Sequence, residues 1–167
     1  GDHRDLHLSL HDALPISRAV VLALFVPLII SSGGNSGSQA TTLVIRAMAL
    51  GEVRIRDWWR VIRRELVTGL GLGLILASIG LVRILLWQLL FSAYGDHYFL
   101  VAMTVALSLT GVVLWGSLMG SILPFILRGL GFDPASDSAP FVATLVDVTG
   151  LVIYFTVAAM VLRGTLL

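Results

Sequence analysis

The 167-residue chain contains no cysteine and no lysine, and charged residues make up only 13% of it. The absence of cysteine excludes disulfide bonds, thiolate metal sites and cysteine nucleophiles. The formal net charge of +1 indicates no general attraction to nucleic acid. Apolar residues dominate instead: 57% of the chain is hydrophobic, against about 45–50% for soluble domains, and the mean hydropathy is +0.95. This composition predicts an all-α integral membrane protein.

The first 17 residues differ from the rest of the chain. They hold three of the four histidines and three of the ten acidic residues, and they contain neither a membrane-length apolar run nor the apolar core of a signal peptide. Within them, DLHLSLHDALPIS looks like a translated sequencing adaptor; the alternative is a native polar lead-in. We therefore separate residues 1–17 from an expected transmembrane ion-transport domain at 18–167, and treat the spacing of His3, His7 and His11 as coincidental.

Four apolar segments follow, each long enough to cross a hydrocarbon core of about 30 Å at about 1.5 Å per helical residue. They lie between residues 18 and 46, 66 and 91, 98 and 127, and 140 and 162. The sequence thus predicts a polytopic bundle of four transmembrane helices. The connector between the first two, LGEVRIRDWWRVIRRE, is rich in arginine, and the positive-inside rule places it in the cytoplasm.

Asp147 is the only acidic residue of the fourth segment. A carboxylate near the middle of a membrane helix costs roughly 2.5–3.5 kcal/mol on insertion scales and is usually kept for an ion, a proton or a partner charge. Helical spacing places Ala143, Thr144 and Gly150 on the same face, and this narrow stripe of small residues is typical of a water-filled path. The alternatives are a protonated acid bonded to a neighbouring helix, or an ion pair with Arg83, which otherwise snorkels to the outer headgroups.

The first segment contains twelve consecutive small or polar residues, SSGGNSGSQATT. Gly33 and Gly37 form a GxxxG pair, and helix packing alone would explain such a pair. The side-chain oxygens of Asn35 and Gln39, together with backbone carbonyls near Gly34, also offer ligands to a cation. The segment therefore indicates either a packing surface or one side of a hydrated cation path.

A single acid per chain poorly neutralises a divalent cation. A two-fold axis beside the fourth segment would supply a second Asp147, so we predict a homodimer. Mg²⁺ gives up water reluctantly and is commonly held through one or two carboxylates with several waters retained. The pattern suits hydrated Mg²⁺, while Co²⁺ and Mn²⁺ stay open because one acid and neutral oxygens do not identify a metal.

Three segments, PLIISSGGNSGSQATTLVIRAMALGE, LPFILRGLGFDPA and PFVATLVDVTGLVIYF, resemble signature segments of the bacterial MgtE magnesium transporter family, which is related to the eukaryotic solute-carrier magnesium transporters. The resemblance implies a homodimeric, channel-like Mg²⁺ transporter of the bacterial inner or plasma membrane, with its pore at the subunit interface. It further implies that Asp147 is the central pore acid, that Ala143 offers a backbone carbonyl near the ion, and that Gly33, Gly34 and Asn35 match the family's GGN element.

The resemblance also sets expectations for the extent and partners of the chain. Family members carry cytosolic domains and five transmembrane helices, of which four are expected here. Mg²⁺ would be the transported ion, with no cofactor, and the lipid bilayer would be the surroundings. An intramembrane enzyme is disfavoured because the apolar segments contain one acid and no histidine or cysteine. A truncated, non-conducting membrane fragment is the remaining alternative.

Overall fold

The computed structural model describes residues 21–92, 94, 97–135 and 138–163. Within these ranges the long helices are α1 (Val26–Ala49), α2 (Trp58–Phe91), α3 (Tyr98–Gly129) and α4 (Ser138–Leu162). All four are long and apolar enough to cross a membrane, and the first candidate span begins at Val21. The predicted all-α bundle of four membrane helices is confirmed. The proposed lead-in at residues 1–17 lies outside the described residues.

α2 begins well before the apolar segment that predicted it. A short 3-10 helix, Ile55–Asp57, leads directly into α2, and the Asp57 carboxylate accepts a hydrogen bond of 2.9 Å from the backbone N–H of Arg54. The 34 residues of α2 correspond to about 51 Å at about 1.5 Å per residue, which exceeds a hydrocarbon core of about 30 Å. The arginine-rich first turns of α2 are therefore a helical extension of the membrane span.

α3 is the central element of the bundle. It packs against α1, α2 and α4, whereas α2 packs on α3 and has almost no contact with α1 or α4. The largest cluster of buried side chains joins all four helices and includes Ile29, Ile84, Val105, Val112 and Tyr154. The bundle thus consists of α1 and α4 on one side of α3 and α2 on the other.

α1 and α3 cross through glycines on both helices. A Cβ atom added to Gly116 would meet the carbonyl oxygen of Gly33, and one added to Gly120 would meet that of Gly37. The GxxxG pair of α1 therefore packs against a second GxxxG pair in α3, and the two backbones touch because neither carries a side chain there.

A proline inside α3 lies next to this crossing. Pro124 has no backbone N–H, so the carbonyl of Gly120 lacks its usual partner four residues later. The buried Thr41 hydroxyl of α1 lies 3.0 Å from that carbonyl oxygen and 2.9 Å from the carbonyl oxygen of Gly37. A neighbouring helix thus supplies the hydrogen bond that the proline removes, as membrane helices with internal proline require.

Candidate functional site

α4 runs antiparallel to α1, and two hydrogen bonds fix its position. At one end the Tyr154 hydroxyl donates to the carbonyl of Leu22 at 2.7 Å, and at the other the Ser38 hydroxyl donates to the carbonyl of Ala139 at 3.4 Å. The middle of α4, which carries Asp147, consequently lies beside the glycine-rich middle of α1.

Asp147 lies directly against the backbone of α1. A Cβ atom added to Gly34 would be 2.6 Å from Oδ1 of Asp147 and 3.8 Å from the carbonyl oxygen of Ala143. A real Cβ atom does not tolerate the first of these distances, so the carboxylate occupies space that exists only because residue 34 is glycine. Three of the predicted site residues therefore meet at one place in the membrane span.

The Asp147 carboxylate is partly exposed and has no protein donor in the part of the chain that the structure describes. The guanidinium of Arg83 lies instead over the ring of Phe25, 5.8 Å from its centroid. Among the described residues, neither alternative for Asp147 is formed: it is not bonded to a neighbouring helix and not paired with Arg83. The carboxylate is thus left available to water or to a cation.

The exposed face in the middle of α1 is mostly polar, whereas its packed face is mostly glycine and apolar residues. We call this face the polar stripe; it consists of Ser31, Asn35, Gln39 and Thr42, which are all exposed. The Asn35 amide donates to the Ser31 hydroxyl at 3.3 Å. The buried face of the same helix consists mainly of glycine and apolar residues. Lipid cannot satisfy such a polar surface, so the stripe requires water, ions or another protein surface.

The remaining predicted site residues divide into two groups. Thr144 is exposed, and its hydroxyl donates to the carbonyl of Pro140 at 3.1 Å. Gly33 and Gly150 are both buried, and an added Cβ on either would press on the side chain of Val112 in α3. The structure therefore places Thr144 at the open surface near Asp147, and places the two glycines at packing positions between helices.

One carboxylate with neutral oxygens around it has limited chemistry. Within the described ranges, no three histidine, cysteine, aspartate or glutamate side chains come together. Such a set does not strip Mg²⁺ of its water shell, but it attracts a hydrated dication and offers hydrogen bonds to the shell. One carboxylate and neutral oxygens of this kind are suited to transient contact with a hydrated cation rather than to a permanent metal site.

Two contacts that hold the site were not evident from the sequence. The indole N–H of Trp115 in α3 donates to the Thr149 hydroxyl of α4 at 2.8 Å. The bond from Ser38 to Ala139 tethers the beginning of α4 to α1. Ser38 belongs to the polar segment that the sequence singled out, whereas Trp115 lies in an unremarkable apolar run, and no local pattern marks it.

Comparison with known proteins gives the same family for the family model and for three curated relatives. Residues 26–157 match the family described as MgtE, divalent cation transporter. The chain is 43% identical over 149 residues to the magnesium transporter MgtE of Thermus thermophilus, covering 89% of this chain and 31% of that protein. The protein of the same name from Enterococcus faecalis is 31% identical over 148 residues, which cover 89% of this chain and 31% of that protein. The one from Bacillus subtilis is 33% identical over 143 residues, which cover 86% of this chain and 30% of that protein. The chain thus spans about a third of the length of these curated relatives.

Proposed function

Because the chain belongs to the MgtE family of divalent cation transporters, we propose that it forms the ion-conducting part of a magnesium transporter. In this proposal hydrated Mg²⁺ passes Asp147 and the polar stripe at the interface between two copies of the chain. Magnesium is chosen as the cargo because the relatives are named magnesium transporters. The observation that carries the proposal is the position of the Asp147 carboxylate against Gly34 without a protein donor among the described residues.

The cost of placing the Asp147 charge within a membrane span supports an ion path. A carboxylate near the bilayer centre costs several kcal/mol, and water or a passing cation offsets that cost. An inside-negative potential favours entry by about 2.3 kcal/mol per charge per 100 mV, which is roughly twice as much for Mg²⁺. The proposed permeation therefore runs on the membrane potential alone.

The proposed pairing of two chains follows from the surface beside Asp147. The polar stripe on α1 and Thr144 on α4 are exposed in the single chain. A second copy would cover this polar surface and would bring a second Asp147, so that two carboxylates balance one dication. Co²⁺ and Mn²⁺ would find the same oxygen ligands, and competition in a flux assay ranks them against Mg²⁺.

The test is Asp147→Asn, which removes the charge and keeps the shape. In proteoliposomes with a magnesium-sensitive dye inside, we expect Mg²⁺ influx to fall by about tenfold or more, a change that corresponds to about 1.4 kcal/mol in the barrier. The matched control is Asp133→Asn, since Asp133 is exposed in the loop after α3. Equal influx in Asp147→Asn and the unmodified chain, at equal protein incorporation, would contradict the proposal.

A further inference from the structure

A cavity of about 500 Å³ lies where the ends of α1 and α3 meet the connector that leads to α2, at the end of the bundle that the positive-inside rule assigns to the cytoplasm. Three arginines from two separate segments line it: Arg54 and Arg56 from the connector and Arg128 from the last turn of α3. A guanidinium N–H of Arg128 donates to the carbonyl of Met48 at 3.5 Å, which holds this side chain at the cavity. Three positively charged side chains thus line the same cavity.

No acidic side chain is among the described residues that line this cavity. The nearby acids do not line this cavity, although Asp133 lines a second cavity together with Arg128. The Asp57 carboxylate accepts the backbone N–H of Arg54 at 2.9 Å, and the Asp133 carboxylate accepts that of Ala135 at 2.9 Å. Glu52 lines a different cavity, between α1 and α2. Within the described residues no acid lines this cavity and none of the three arginines forms an ion pair, so the lining carries positive charge.

The rest of the cavity lining is apolar, from Met48, Val53 and Ile55, and Ile55 is 48% exposed. The depth of the cavity in the membrane follows from α1. The candidate span from Val21 to Ala49 has 29 residues, about 43 Å at about 1.5 Å per residue, which equals the headgroup-to-headgroup thickness of about 40–45 Å. A span of this length, centred in the bilayer, would place the cavity at its end at the level of the inner headgroups.

We propose that this cavity binds the phosphodiester headgroup of an anionic phospholipid of the inner leaflet. Arginine binds phosphate oxygens through paired N–H donors, and three guanidinium groups match one phosphate and its neighbours. The glycerol and first acyl carbons then lie against Met48, Val53 and Ile55. A free phosphate or an acidic peptide would use the arginines but would leave the apolar half of the lining unused, so the lipid fits the whole cavity.

Native mass spectrometry of the full chain tests this, with dioleoyl phosphatidylglycerol and dioleoyl phosphatidylcholine as probes. The unmodified chain is expected to retain phosphatidylglycerol preferentially. In Arg54→Gln/Arg56→Gln/Arg128→Gln, affinity for phosphatidylglycerol should fall roughly a hundredfold, about fivefold for each arginine removed, while binding of phosphatidylcholine stays unchanged.

The matched control removes the same charge elsewhere. Arg60, Arg63 and Arg64 are exposed on the first turns of α2 and do not line this cavity. Replacing all three by glutamine should lower phosphatidylglycerol affinity clearly less than the cavity triple variant does, because these arginines do not contact the bound headgroup. Equal losses in the two triple variants would overturn the proposal, because diffuse surface charge would then explain the binding.

Two further measurements separate the lipid from other anions and from misfolding. Displacement of phosphatidylglycerol by millimolar inorganic phosphate, or by a tetraglutamate peptide, would overturn the assignment to a lipid. The variant Arg54→Gln/Arg56→Gln keeps the bond from Arg128 to Met48 and should still lose roughly 25-fold in affinity with unchanged helical circular dichroism. An unchanged affinity in that folded variant would equally refute the site.

Discussion

Gly34 determines where the Asp147 carboxylate lies, because a Cβ atom at position 34 would come within 2.6 Å of Oδ1. In Gly34→Ala the carboxylate must move away from the α1 backbone. We expect Mg²⁺ influx into proteoliposomes to fall by about tenfold, a change of about 1.4 kcal/mol in the barrier, while the bundle stays folded. The matched control is Gly71→Ala in α2, where an added Cβ meets nothing within 4 Å. Unchanged influx in Gly34→Ala would show that the position of the carboxylate does not limit permeation.

At the scale of the helices, Thr41 and Pro124 form a compensating pair between α1 and α3, joined through the carbonyl of Gly120. Thr41→Val leaves that buried carbonyl without a donor, which should lower the free energy of unfolding by about 1–3 kcal/mol. In Pro124→Ala the chain regains an N–H at position 124 that can bond the same carbonyl, so Thr41→Val should cost clearly less in that background. Denaturation in detergent micelles, followed by circular dichroism, measures the free energy of unfolding and hence the loss caused by Thr41→Val in each of the two backgrounds. Equal costs in the two backgrounds would contradict this compensation.

At the scale of the whole molecule, the polar surface around Asp147 is the expected contact between two chains. The chain has no cysteine, so each introduced cysteine is the only thiol. Thr144→Cys should form disulfide-linked dimers in membranes under mild oxidation, because the two-fold axis brings copies of α4 together. The matched control is Leu89→Cys on α2, which is 83% exposed and lies on a helix that, among the described helices, packs almost entirely against α3. Dimers from Leu89→Cys and none from Thr144→Cys would place the interface on α2 and refute the shared path.

The number and type of the helices were predictable because each apolar segment exceeds the membrane thickness and no strand pattern competes with it. The beginning of α2 was not. Hydropathy identifies the part of a helix that lies in lipid, but it does not identify the arginine-rich turns that continue the same helix into water. The short 3-10 helix before Trp58 is stabilised instead by the Asp57 carboxylate, which accepts a hydrogen bond from the backbone N–H of Arg54.

The candidate site was predictable in its chemistry and less so in its arrangement. The isolation of Asp147 in an apolar helix identified it as special, and the glycines of α1 indicated close approach. Helical spacing also placed Gly150 on the face of Asp147, but only the neighbouring helix decides whether such a residue lines an open surface. Val112 of α3 lies against Gly150, and a contact between residues so distant in the chain leaves no local pattern in the sequence.

The central position of α3 has a consequence for the order in which the protein is made. α1 and α2 precede α3 in the chain, yet they have almost no contact with each other in the described structure. Neither helix can therefore reach its packed state in this bundle until α3 enters between them. Packing of the described helices thus begins with the central α3, and its glycines that receive α1 are one point at which two of these helices lock together.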